Sequence, residues 1–195
     1  MALADLEIRR KVVHLAGGVV LSILIWRDLL DFKMLSILFI IGLMISVLSL
    51  WMRIPVIGWF LQQFDRQRNI KTFPGKGAVF MLLSAALVTL LFPNDIAAAS
   101  MMILALGDAF GPLVGQFGSI RHPLNQMKVL EGTIAGIATA TIGALYFVPW
   151  WKALVAASLA MTFETMEIEV NRRIIDDNIT VPLISGLVLW LLQGF

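Results

Sequence analysis

Asp108 sits inside the apolar run Leu104-Ala105-Leu106-Gly107-Asp108-Ala109-Phe110-Gly111-Pro112. A carboxylate in a nonpolar surrounding is expensive, and chains keep one there where function requires it. Beside glycine-exposed backbone it suits a hydrated magnesium ion, which takes only one or two of its oxygens from protein. A second set of acids follows. Glu164, Glu167 and Asn171 are spaced i, i+3, i+7, one face of a helix, and lead into Arg172 and Arg173. Asp176, Asp177 and Asn178 then open the run that contains Pro182. Carboxylates this dense beside arginines make either a structural ion-pair network or the ligands of a metal–polyphosphate complex.

Groups able to hold an anion occur in two further places. Glu7, Arg10, Lys11 and His14 have the spacing i, i+3, i+4, i+7 and form one helical stripe. Arg10 and Lys11 also suit a plain cytoplasmic anchor, but His14 lies a full turn inside the apolar run, where an anchor has no use for it. Lys128, Glu131 and Gly132 stand where a helix begins after a polar loop. The free N–H groups of a first turn and the positive end of the helix dipole attract anions there. The same residues also fit a capped helix start with a snorkelling lysine. Gly107, Gly111 and Gly115, four apart, have an ordinary role in close helix packing.

The elements that must position these groups follow from composition. Of 195 residues, 59% are hydrophobic and 14% charged, against about 45–50% and 25% in soluble domains. One core of this size cannot hide so much apolar surface, so the sequence predicts an integral membrane protein. Seven apolar segments are candidate spans: Val12–Trp26, Met34–Met52, Ala78–Phe92, Ile96–Phe117, Gly132–Val148, Ala153–Met166 and Val181–Leu192. The expected fold is all-α, a polytopic bundle of about seven transmembrane helices in a single domain, 1–195. Pro112 and the surrounding glycines predict a broken helix over Gly107–Gly118. The stretch Ile54–Gly77 reads as amphipathic and is expected on the membrane surface. The basic N-terminal run lacks a small-x-small cleavage site and is expected to remain as a helix. Cysteine is absent, which excludes disulfides, thiolate metal sites and cysteine nucleophiles. No element resembles a nucleic-acid module.

Seven spans place alternate loops on opposite sides. Arg27, Lys33 and Lys152 fall on one side and the other twelve of the fifteen Lys and Arg residues on the other. The positive-inside rule then sets the N-terminus in the cytoplasm and the C-terminus outside. Under that topology the basic end of the first helix, Asp108, Lys128–Gly132 and Asn171–Asn178 share the cytoplasmic face. Four polar clusters distant in sequence are thereby expected to form one site for a soluble anion.

The ordered set Arg10-Lys11-x-x-His14, Pro74-Gly75-Lys76-Gly77, Gly107-Asp108-x-x-Gly111-x-x-x-Gly115, Lys128-x-x-Glu131-Gly132-Thr133, Glu164, and Asp177-Asn178 with Pro182 resembles the CTP-dependent lipid-alcohol kinases. That family includes dolichol kinase, phytol kinase and a fungal diacylglycerol kinase, and the chain is similar to a minimal prokaryotic version. The resemblance implies transfer of the terminal phosphate of CTP to a lipid alcohol with magnesium, the alcohol arriving from the surrounding membrane lipids. It implies catalytic roles for Asp108, His14, Asp177 and Glu164, and metal binding by Asp108, Asp177 and Glu131. Arg10, Lys11, Lys76, Gly107, Gly111, Lys128, Gly132, Arg172 and Asn178 would bind the nucleotide phosphates. Either His14 or a carboxylate would take the hydroxyl proton.

Two readings compete. A CTP-dependent lipid-phosphate cytidylyltransferase would share membrane, nucleotide and metal, but neither His14 nor His122 is followed by the Gly-Gly of that family's signature. An ion or proton-coupled transporter should carry polar residues through both halves of the bilayer, whereas these collect at one face.

Overall fold

All seven apolar segments are helices in the computed structural model, which describes residues 2–52, 54–166, 169–170, 173–174 and 176–194. They are α1 (Ala2–Trp26), α2 (Phe32–Trp51), α5 (Lys76–Leu91), α6 (Asn94–Gly115), α7 (Leu130–Ala144), α8 (Trp150–Met166) and α9 (Asp177–Leu191). Two short helices, α3 (Pro55–Phe64) and α4 (Gln67–Thr72), join α2 to α5. The fold is all-α apart from two small hairpins, β1 (Arg121–His122) with β2 (Asn125–Val129), and β3 (Glu169–Val170) with β4 (Arg173–Ile174). Helices α2 and α6 are long and apolar enough to cross a membrane.

Local chemistry sets the helix starts. Asp31 caps α2 by accepting the Met34 N–H at 2.8 Å, satisfying one of the free donors of the first turn. Pro55 begins α3, where its missing N–H costs nothing. Gly75 precedes α5 at φ +70°, a left-handed conformation that glycine adopts readily. The buried Asp65 carboxylate accepts the Gly75 N–H at 2.8 Å and fastens that turn to the α3–α4 junction.

The core forms around α6, which packs against α1, α5, α7, α8 and α9. Its alanine-rich first half, Ile96–Leu104, is fully enclosed. Glycines bring α7 unusually close. A Cβ on Gly132 would lie 2.8 Å from the Gly111 carbonyl oxygen, and one on Gly136 would lie 3.3 Å from that of Gly107. The periphery inverts the soluble pattern, since Ile37, Ile40, Met44 and Val47 of α2 are about half exposed. At the end of the bundle where α1 finishes and α6 begins, Trp26 packs edge-on against Tyr146 at 5.0 Å, with Arg27 over its ring.

Two expectations are corrected. The helix does not break over Gly107–Gly118; α6 runs through Pro112 to Gly115. Nor does the stripe from Glu164 continue as helix to Asn171. Helix α8 ends at Met166, and residues 169–170 and 173–174 pair as β3 and β4. Glu167, Asn171 and the expected phosphate ligand Arg172 lie outside the described residues.

Candidate active site

Successive long helices alternate in direction, so the starts of α1, α5, α7 and α9 meet the ends of α6 and α8 at one end of the bundle. The polar residues gather there. Asp108 near the end of α6, Glu164 near the end of α8 and Asp177 at the start of α9 each offer a carboxylate oxygen, all within 4.8 Å of one another. Asp108 is buried and the other two are partly so.

Two lysines reach these acids. Lys11 Nζ of α1 donates to the Asp108 carboxylate and, at 2.7 Å, to the Asp108 backbone carbonyl. That carbonyl is free because Pro112, four residues on, has no N–H to give it. Lys128 Nζ of β2 donates to Glu164 Oε1 at 2.9 Å and to the Glu164 carbonyl at 3.0 Å. The hairpin aims this lysine, and Asn125 secures it by donating to the Thr165 carbonyl at 3.0 Å. His14 is buried with Nε2 lying 3.9 Å from Asp108 Oδ2, and that nitrogen has no hydrogen-bond partner.

Three carboxylates thus face two lysines in a poorly solvated place. An all-oxygen donor set of this kind fits a hard divalent cation such as magnesium. Burial pushes the carboxyl of Asp176, the α9 cap, upward, but the Lys76 ammonium 2.8 Å away outweighs it and holds that carboxyl below its ordinary value. Asn178 donates to Asp176 Oδ1 at 2.6 Å, while its own buried Oδ1 has no partner.

Other expected site residues are placed differently. The Glu131 carboxylate does not join the cluster. It accepts backbone N–H groups of Ser119 and Ile120, at 2.8 and 3.1 Å, and these hold it below its ordinary pKa. Gly107 lies against Met161, so its role here is packing. Gly111 and Gly132 serve packing too, but they also line a cavity of about 470 Å³ with Lys128 and Glu164. Arg10 pairs with Glu7 at 3.0 Å, at the edge of the cluster. The Glu7 carboxyl is held down to about 2 by the Arg66 hydrogen bond, burial opposing and Arg10 assisting. Sequence reasoning passed over Gln116, Ser119 and Arg121, which also line the 470 Å³ cavity. An exposed polar loop gives no period by which to single them out.

Apart from its hairpins the fold is an all-α bundle, with carboxylates and lysines gathered at one end. The chain is 32% identical over 136 residues to a probable chloroplastic phytol kinase of Triticum aestivum, covering 61% of this chain and 45% of that one. It is 28% identical over 203 residues to a phytol kinase of Synechocystis sp., covering 97% of this chain and 81% of the relative. A probable phytol kinase of Oryza sativa is 24% identical across 99% of the chain. The chain spans under half the length of the wheat, soybean and maize relatives it matches. No family model matches it, and no solved structure does. The chain is thus similar to phytol kinases, in the cyanobacterial case along 97% of its length.

Proposed function

We propose that the chain is an integral membrane kinase that transfers the terminal phosphate of CTP to the hydroxyl of a lipid alcohol, with magnesium. The observation that carries this reading is the convergence of Asp108, Glu164 and Asp177 within 4.8 Å, flanked by Lys11 and Lys128. The relatives named as phytol kinases favour a prenyl alcohol as acceptor. The choice of CTP rests on the motif resemblance.

Seven spanning helices with the N-terminus and the site on the cytoplasmic side account for the apolar exterior. They also place Trp26, Tyr146 and Arg27 at the opposite membrane interface, where such residues are enriched. The triphosphate would lie in the 470 Å³ cavity, a size ordinary for a small-molecule site. Lys128, Arg121 and the first turn of α7 would face its oxygens there. Asp108, Glu164 and Asp177 would hold magnesium, which when bound neutralises charge on the phosphate chain. Phosphoryl transfer needs little more than positioning and charge neutralisation. The lipid oxygen bonds to the terminal phosphorus as the bridging P–O bond breaks. The electron pair leaves with CDP, and the hydroxyl proton passes to the Asp108–His14 side of the site.

The test is incubation of the purified full chain with terminally labelled CTP, or ATP, and a panel of prenyl alcohols, polyprenols and diacylglycerol. Labelled lipid with release of CDP supports the reading. Release of pyrophosphate would indicate a cytidylyltransferase, and absence of transfer to every alcohol would reject the kinase.

A further inference from the structure

We infer that the acceptor alcohol lies in the apolar groove between α1, α3 and α5, with its hydroxyl in the gap between His14 Nε2 and Asp108 Oδ2. This deepens the kinase reading and rests on it. The groove, of about 280 Å³, is walled mainly by apolar side chains such as Val13, Ile57, Phe60 and Met81, with Arg10, His14, Asp65 and Asn69 as its polar lining. Asp65 and Asn69 are already hydrogen-bonded to each other and to the Gly75 turn, so a long apolar tail with its polar head at His14 matches that lining.

The head is recognised at His14. This side chain is 7% exposed and its Nε2 lacks a partner, a state that is costly unless a ligand relieves it. The 3.9 Å separating Nε2 from Asp108 Oδ2 is too long for a hydrogen bond. An oxygen atom placed about 2.8 Å from each would bridge the two. A hydroxyl both accepts and donates, so it accepts from Nε2–H and donates to the carboxylate, which only accepts. The alcohol oxygen is thereby held beside the carboxylate cluster, across Asp108 from the cavity proposed for the nucleotide.

Helix α3 gives the groove its outer wall and is fastened to α1. Arg66 donates to Glu7 at 2.7 Å, and Arg9 donates to Gln63 at 3.0 Å. Its Val56 and Phe60 are more than half exposed, so the groove is continuous with the apolar exterior along which a tail would extend. A second apolar cavity, of about 310 Å³, lies between α1 and α6. Its charged residues, Glu7 and Lys11, are already paired with Arg66 and Asp108, and its amide, Gln116, is exposed, so among the described residues it offers no buried unpartnered polar group for a hydroxyl.

The experiment photolabels the full-length protein in lipid nanodiscs with an isoprenoid alcohol carrying a diazirine in its tail, and maps the adducts by mass spectrometry. Adducts on Phe60, Leu61 or Met81, competed by unlabelled alcohol, are expected. Adducts on Phe110 or Leu113 instead, or none, overturn the assignment. Gly77 lines the groove, and a Cβ there meets nothing within 4 Å, so Gly77→Leu starts from open space and intrudes on the groove. It should raise KM for the alcohol about tenfold, a cost of about 1.4 kcal/mol, and leave KM for the nucleotide unchanged; an unchanged KM for the alcohol counts against the groove. His14→Phe should retain photolabelling and lose turnover, and normal turnover removes His14 from the hydroxyl site. Labelling in the groove without phosphate transfer to any alcohol rejects the kinase and leaves the groove as an alcohol site. Transfer with labelling elsewhere rejects the groove alone.

Discussion

Asp108→Asn removes one unit of charge from the carboxylate cluster while preserving its shape and most of its hydrogen bonding. The three acids lie within 4.8 Å of one another and face two lysines, so a divalent cation there would depend on the carboxylate oxygens they supply. Two unit charges about 4 Å apart interact by about 4 kcal/mol at an effective dielectric of about 20. If about 3 kcal/mol of that acts in the transition state, turnover falls about 100-fold, since each 1.36 kcal/mol is tenfold. Stability should change little. Lys11 keeps the carbonyl of residue 108 as a partner at 2.7 Å, and the repulsion from Glu164 and Asp177 is relieved. The assay measures turnover and melting temperature on the same detergent-purified samples across a magnesium titration. Wild-type protein should melt at higher temperature as magnesium rises, by mass action on the folded state. The variant should lose most of that rise. Near-normal turnover in Asp108→Asn, with an unchanged magnesium dependence, would refute the metal role.

Three further outcomes are expected. Gly132→Ala should destabilise the protein by about 1–3 kcal/mol, because the new Cβ meets backbone atoms of Gly111 and Gly115 at 2.8 and 3.1 Å; in the same melting assay Gly58→Ala within α3, whose Cβ meets nothing within 4 Å, should gain about 0.5–1 kcal/mol. Glu7 is depressed to about 2 from 4.5 in the fold, so its stabilisation is complete above 4.5 and disappears as pH falls toward about 2. The melting difference between wild type and Glu7→Gln should follow that course, and a pH-independent difference would contradict it. In the cysteine-free chain, Arg68→Cys and Asn94→Cys should react with an impermeant reagent from opposite sides of the membrane; labelling of both from one side would reject seven spans.

The helices were legible because each apolar run is long enough to demand burial against other helices or lipid, and each run forms one. Convergence of the polar groups was legible as well. Alternating direction brings Lys11 to Asp108 and Lys128 to Glu164, 97 and 36 residues apart in the chain. Contacts set by tertiary structure were not legible. Glu131 and Glu164 are both acids near the expected anion site, but a loop turning at Gly118–Ile120 occupies the first with backbone donors. The hairpin β1–β2 is short and polar, with no alternation to announce it, and Lys128 owes its direction to that hairpin. The glycines were ambiguous in sequence because the same missing side chain that lets α6 and α7 approach also leaves Gly111 and Gly132 lining the cavity.

Proline makes the difference between a broken helix and a polar site. An interior proline removes one backbone bond, and a break would relieve the unsatisfied carbonyl by exposing it. Here Pro112 stands four residues after Asp108 and Pro182 four residues after Asn178, so the carbonyls set free belong to two site residues. Lys11 Nζ takes the first and the Ser84 hydroxyl takes the second. Each helix therefore continues through its proline and gains a tie to a neighbour, α6 to α1 and α9 to α5. The lysine that satisfies the Asp108 carbonyl also pairs with its carboxylate, so one proline fixes both the position of the cation and the direction of the acid. An alanine at position 112 would return the helical N–H to that carbonyl as a competing donor. Lys11 would then share that carbonyl, whose two lone pairs admit both donors, and its hold there would weaken. The prolines thus help hold a charged cluster in one geometry within an otherwise apolar bundle.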